Sequence, residues 1–177
     1  MAIPQPFNLN QWINDNRHLL KPPVGNKNMY VDSGDFIVMV VAGPNARKDY
    51  HYNETEELFY QLEGNITVVI QVDGQRKEMQ LKAGDMYLHP AKVPHSPVRS
   101  ENSIGLVIER KRAGKGFTDG LLWHCDNCNH KLHEVYFELH NIEKDFLPHF
   151  THFYNNQELR TCSECGTEMP TDPRFTK

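Results

Sequence analysis

Short apolar runs separated by turn residues begin near Met29 and continue to residue 110, with no helical period between them. The alternation predicts strands over 36–42, 58–62, 66–72, 75–81, 86–89, 93–99 and 104–110. Gly43-Pro44 ends the first, Gly64-Asn65 joins the second to the third, and Asp73-Gly74 is a strong hairpin signal. Seven or eight strands in about 80 residues favour a closed barrel or jelly roll, since closure removes exposed edges. The mouth of such a barrel is the natural place for a ligand.

The flanks read differently. Residues 1–28 form a leading segment in which Asn8 or Asn10 can cap a short helix that presents Leu9, Trp12 and Ile13 on one side, before Pro22, Pro23 and Gly25 break it. After Gly116 the pattern is less regular. It predicts a strand over 121–123, a mixed strand over 133–140 with Val135, Phe137 and Leu139 alternating, and a helix over 142–159 interrupted near Pro148. The organisation expected is a barrel with its N-terminal segment over 1–116 and a C-terminal extension over 117–177 packed on it.

At 177 residues and 38% apolar content, with seven Tyr, nine Phe and two Trp, the chain can bury a core, so disorder is not the default. A net charge of -4 argues against nucleic acid as the obligatory partner. The basic cluster Arg110, Lys111, Arg112 and Lys115 reads as a solvated loop, and His89 as a surface residue. No stretch approaches the roughly 20 apolar residues that span a bilayer. The expectation is a soluble, cytoplasmic protein with no membrane partner. Its four cysteines, Cys125, Cys128, Cys162 and Cys165, form two C-x-x-C pairs with 33 residues between them. In a reducing compartment this spacing points to a tetrahedral four-sulfur site for zinc or iron. Gly166 permits the tight turn such a site needs, and His124 and His130 stand near enough in sequence to substitute for a thiolate.

The stretch 43–99 carries the chemistry. His51 ends or follows a strand, a polar turn brings Glu54, Glu56 and Glu57 near it, and His95 lies where Pro94 and Pro97 fix the backbone. Two imidazoles and one carboxylate would leave half of an octahedral ion's positions open. Taken singly, each histidine also fits a surface or core residue, the glutamates fit a solvated acidic turn, and counting alone does not separate Glu56 from Glu57. Arg47 lies four before His51 and Arg99 four after His95, so in extended strands both face the same side as the ligands. Two buried cations call for an anion. The plainer reading pairs Arg47 with Asp49, and Arg99 with Glu101 or Glu109, at the rim. Glu109 is the best remaining carboxylate to accept a hydrogen bond from a ligand.

These residues resemble the two cupin motifs. His51, Glu57 and Gly64 match the first, with Asn53 at its second histidine; Gly84, Pro90 and His95 match the second, with Lys92 for its glycine and Arg99 for its final asparagine. The resemblance implies a double-stranded β-helix and favours Glu57 over Glu56. Asn53 removes one ligand, which leaves three open positions. Through NARKDYHYNETEELFYQLEG, LHPAKVPHSPVR and IERKR the whole chain resembles the 3-hydroxyanthranilate 3,4-dioxygenase family of tryptophan breakdown towards quinolinate and NAD. That resemblance implies Fe(II) held by His51, Glu57 and His95, with substrate bound by Arg47, Glu57, Arg99 and Glu109, and Arg47 also on the dioxygen side. It implies insertion of both oxygen atoms to give 2-amino-3-carboxymuconate semialdehyde, and a homodimer. Within the family the two-pair tail is present in some members only, so a structural second metal is expected. The competing readings are another two-His, one-Glu cupin dioxygenase of a small aromatic or keto acid, and a non-enzymatic ligand-binding cupin or adaptor with a zinc tail.

Overall fold

The computed structural model describes residues 3–21, 25–45, 47–142 and 144–176. The break expected at Pro22 and Pro23 lies outside the described residues. Helix α1 (Leu9–Asn16) is capped by Asn8, whose side chain accepts from the Gln11 amide at 2.9 Å, so Asn8 rather than Asn10 is the cap. Its apolar side, Leu9, Trp12 and Ile13, packs on Val40, Ala42 and Ile104.

The strands are β1 (Asn26–Asn28), β2 (Phe36–Ala42), β3 (Asp49–Asn53), β4 (Glu57–Glu63), β5 (Asn65–Val72), β6 (Gln75–Lys82), β7 (Met86–His89), β8 (His95–Arg99), β9 (Ile104–Arg110), β10 (Asp119–His124) and β11 (Lys131–Phe137). One antiparallel sheet runs in the order β1, β2, β9, β4, β7 and the other in the order β11, β10, β3, β8, β5, β6. The expected all-β jelly roll is the fold found. Alternate residues of both sheets, among them Met39, Val41, Phe59, Val68, Ile70 and Val107, fill the space between them. Each such side chain contributes about 1.5–3 kcal/mol when fully buried. Strand β6 is an edge, exposed except at Leu81 and polar except at Met79 and Leu81, which discourages pairing with other chains.

Close approach fixes one corner. A Cβ at Gly43 would stand 2.1 Å from the Ser100 carbonyl oxygen, so only glycine lets β2 turn beside the β8–β9 connection.

Several elements differ from the sequence reading. His51 lies in the middle of a strand of its own, β3, rather than at or after a strand end. The segment after Gly116 contributes β10, which pairs with β3 so that Leu121 stands opposite His51. The extension is therefore stitched into the barrel sheet by main-chain hydrogen bonds. Strand β11 starts and stops earlier than expected, and Leu139 leaves it yet stays buried in a second core with Trp123, Phe150 and Phe153. The helix expected over 142–159 is two helices, α2 (Phe146–Tyr154) and α3 (Gln157–Arg160). Pro148 does not interrupt α2: it sits in the first turn, where no intrahelical donor is required. The break comes at Asn155 and Asn156, because the Asn156 side chain caps α3 by accepting from the Glu158 and Leu159 amides.

Candidate active site

One end of the barrel interior is charged rather than apolar. Strands β3 and β8 lie side by side with His51 opposite His95, and β4 opens on Glu57. All three side chains are at most 5% exposed, whereas Glu56 is exposed, which settles the choice between the glutamates geometrically. Among the described residues, two groups of side chains are close enough to share an ion: His51, Glu57 and His95, and the four cysteines. In each group the ligand atoms lie within 4.8 Å of one another. His95 Nε2 is 3.1 Å from Glu57 Oε2. Neighbouring donors on an octahedral ion with bonds of about 2.1 Å stand about 3 Å apart, so the pair already has the needed spacing. The other His95 nitrogen, Nδ1, is buried without a partner. Burial alone would raise the Glu57 carboxyl, but His95 and His51 offset it and hold the group below its ordinary range. Burial pulls His51 down despite its carboxylate neighbour, which favours the neutral imidazole a metal requires. Two imidazoles and a carboxylate with these spacings fit a divalent ion.

Asn53, at the position of the missing histidine, is buried and donates to Glu57 Oε2 at 3.3 Å while accepting from the Thr55 amide at 2.8 Å. It steadies the polar turn and Glu57.

The arginines fare differently. Arg47 takes the plainer pairing: its Nε donates to Asp49 Oδ1 at 3.0 Å and its Nη2 also binds that carboxylate, with the guanidinium over the Phe146 and Phe150 rings at 5.6 and 5.7 Å. Arg99 does not. It is 3% exposed, its Nε and Nη1 have no hydrogen-bond partner, and neither Glu101 nor Glu109 pairs with it. Burial lowers the Arg99 pKa to about 10, against the pull of Glu57. Glycine at 105 makes room for it, since a Cβ there would stand 3.1 Å from Arg99 Nη1 and 2.9 Å from Gln61 Oε1. Glu109 faces Glu57 across the β4–β9 ladder and is buried, and burial together with Glu57 raises its carboxyl.

Three residues of the site were not expected there. Arg112, read as part of a solvated loop, is 1% exposed: its Nη1 donates to Glu109 Oε2 at 2.7 Å and its Nη2 to Asp119 Oδ1 at 2.8 Å. Asp119, fully buried, also meets His51 Nε2 at 2.8 Å. His89, read as a surface residue, is 1% exposed, lies 4.3 Å ring to ring from His95, and is anchored through Nε2 to the Val93 carbonyl at 2.8 Å. Burial, then His95, brings its pKa down to about 4, so it stays neutral and packs as an aromatic wall. The rest of the basic cluster is at the surface, with Lys115 on Asp35 at 2.8 Å. From α2, Phe146 covers His51 at 5.2 Å between rings and shields that side of the site from water.

The second group is built by two similar turns. Gly166 N donates to the Cys162 carbonyl and Asn129 N to the Cys125 carbonyl, both at positive φ, so each pair of thiols points inward. Cys125 and Cys165 sulfurs are 3.6 Å apart and Cys128 and Cys162 sulfurs 3.5 Å, close to the roughly 3.8 Å edge of a tetrahedron with metal–sulfur bonds of about 2.3 Å. His124 Nδ1 is bound to the Asn129 carbonyl and His130 Nε2 to Ser163 Oγ, and neither histidine belongs to the group of four clustered sulfurs.

Residues 1–154 match the family described as 3-hydroxyanthranilic acid dioxygenase. A protein of Xanthomonas campestris pv. campestris named 3-hydroxyanthranilate 3,4-dioxygenase is 53% identical over 175 residues, covering 99% of this chain and 97% of its own. One of the same name from Paraburkholderia phytofirmans is 49% identical over 167 residues, covering 94% and 95%. Among solved structures, a cupin-2 domain protein from Shewanella frigidimarina aligns with TM-score 0.46 and 23% identity over 55% of this chain and 91% of that one.

Proposed function

The chain belongs to the 3-hydroxyanthranilic acid dioxygenase family, and from that premise we propose that it opens the ring of 3-hydroxyanthranilate with dioxygen, using Fe(II) at His51, Glu57 and His95. The observation that carries the substrate side is Arg99, a buried guanidinium whose Nε and Nη1 have no hydrogen-bond partner, beside the candidate metal triad. A cation left bare in a barrel is costly unless its anion arrives with the ligand.

Charge balance supports the same reading. Glu57, Glu109 and Asp119 face Arg99 and Arg112 in the buried site, while Arg47 and Asp49 cancel. With all of these ionised the site holds one surplus negative charge, a divalent ion turns it into one surplus positive charge, and a ligand with a single carboxylate closes it to zero. 3-Hydroxyanthranilate has that carboxylate, with an amine and a hydroxyl on neighbouring ring carbons.

Iron(II), when bound, supplies adjacent open positions at which an aromatic amine and hydroxyl and dioxygen meet and exchange electrons. The chain's own residues do the rest. Arg99 receives the carboxylate through its two-pronged donor face, and Arg47 borders the same pocket on the dioxygen side. Glu109 accepts a hydrogen bond from the amine or hydroxyl, and its raised carboxyl suits it to take and return a proton there. Phe146 and Phe150 keep water out. Both oxygen atoms enter the product, 2-amino-3-carboxymuconate semialdehyde, which closes to quinolinate without a catalyst.

The test is an anaerobic metal count followed by substrate and air. Product absorbance that requires Fe(II) is the expected result; an iron-loaded protein that leaves 3-hydroxyanthranilate intact but consumes another small aromatic or keto acid would replace the substrate, and failure to bind iron at the triad would favour a non-enzymatic cupin.

Residues 117–177 and their four-cysteine metal are proposed as a structural extension of the 1–116 barrel. Cys125→Ser with Cys162→Ser is expected to lower the thermal midpoint by at least several degrees while activity per bound iron stays within about twofold; a collapse of that specific activity in a folded double variant would reverse the assignment. Assembly as a homodimer and a cytoplasmic setting belong to the same proposal. No helix among the described residues is long and apolar enough to cross a membrane.

A further inference from the structure

We propose that Asp119, clamped by Arg112, is a positioning residue that fixes the His51 imidazole for metal binding; the inference rests on the reading of His51, Glu57 and His95 as the metal triad. An imidazole that ligates with one nitrogen leaves the other to be satisfied, and the group that takes it sets the ring's orientation and which nitrogen carries the proton. In this barrel that group is a carboxylate. Asp119 Oδ1 is 2.8 Å from His51 Nε2, and the other ring nitrogen has no hydrogen bond from the described residues.

The carboxylate itself cannot turn. Arg112 donates to it from Nε to Oδ2 at 2.9 Å and to Oδ1 at 3.1 Å, and from Nη2 to Oδ1 at 2.8 Å. The guanidinium is held in turn by Glu109 at 2.7 Å and by the Arg110 carbonyl at 2.9 Å. Both residues of the clamp are at most 1% exposed. Asp119 stands outside the group of three whose ligand atoms cluster, so it acts on the ion through His51. It comes from β10, after Gly116, which means the extension supplies part of the barrel's metal centre. One guanidinium thus ties the orientation of a ligand to the position of Glu109.

A plain buried ion pair would need no imidazole on its third side, and the two roles separate by experiment. The protein is prepared with its four thiolates filled by zinc and the triad empty, and cobalt(II) is titrated in competition with a chromophoric chelator. Asp119→Asn, which keeps the size and one acceptor oxygen, is expected to weaken cobalt(II) binding about 10–100-fold, and to lower the thermal midpoint of the triad-empty protein as well, because Arg112 loses its buried anion. Unchanged affinity in Asp119→Asn with a lowered midpoint would overturn the inference and leave a structural pair.

Wild-type protein provides an independent reading where the variant folds poorly. With diamagnetic zinc in the triad, the His51 nitrogen facing Asp119 is expected to show a protected N–H in nitrogen-15 spectra; absence of a protected His51 N–H overturns the inference. His51→Ala is the control. If wild type binds cobalt(II), His51→Ala does not, and Asp119→Asn binds as wild type, only the positioning role fails. If wild type takes up no second ion, the triad reading falls and the inference with it.

Discussion

His51→Ala is expected to remove the triad ion and the ring-opening activity together while leaving the four-cysteine site filled. The variant keeps Glu57 and His95, a single close pair of donors, and two protein ligands do not hold a divalent ion against water as three do. The side chain is buried against Phe146, so truncation also leaves a space that water enters on the side the aromatic ring now closes. Metal per chain measured by elemental analysis should fall from two ions to one, and product formation should drop by ~10³-fold or more, since a loss of about 4 kcal/mol in the barrier suffices for that factor. The four-cysteine site should keep its ion, because its ligands come from turns on other elements. An iron-replete His51→Ala protein with normal turnover would show that the triad is not where the chemistry occurs.

The parts of this site that the sequence displays are those whose residue type is improbable elsewhere. Two C-x-x-C pairs have few uses in a reducing compartment, and an alternating apolar pattern broken by Gly64-Asn65 and Asp73-Gly74 leaves little choice about β4, β5 and β6. Strand β3 is harder to see, because its inward residues Asp49, His51 and Asn53 are all polar and the period-2 signal depends on contrast between faces. The same property makes it functional: the strand that looks least like a core strand is the one that lines the site.

Arg112 and Asp119 were missed for a related reason. A lone arginine in a run of basic residues is normally solvated, and only tertiary pairing, to Glu109 three residues earlier and to Asp119 seven later, makes its burial affordable. A signal was present in Asp119-Gly120 at the head of the apolar run Leu121 to Trp123, since a carboxylate entering a buried strand needs a cation. His89 was hidden likewise, because its burial follows from pairing opposite Glu57 in β7 and nothing nearby in sequence records that register. Residue chemistry was legible, and the choice of which charges are inside was set by register.

Arg99→Met is expected to have two effects of opposite sign. Methionine fills much of the same space without a charge, so the ligand-free protein loses a guanidinium whose Nε and Nη1 are buried and unsatisfied. Removal of such a group stabilises by about 1–3 kcal/mol, which at this chain length is a rise of about 2–4 °C in thermal midpoint per kcal/mol. Substrate binding should move the other way. The variant has lost a charge-assisted pair of hydrogen bonds to the carboxylate, worth about 3 kcal/mol or ~10²-fold in KM, with a smaller change in kcat because the metal ligands are untouched. Arg99→Lys separates charge from shape: it restores the cation but not the planar fork, so relative to Arg99→Met it should recover part of the affinity and lose the gain in stability. A lowered midpoint in Arg99→Met would mean that the guanidinium is already satisfied in the free protein. An unchanged KM would move the carboxylate to Arg47, whose pairing with Asp49 would then have to open on binding. If both effects appear with the expected signs, the protein is holding a destabilising charge in readiness, and the carboxylate of the substrate relieves it.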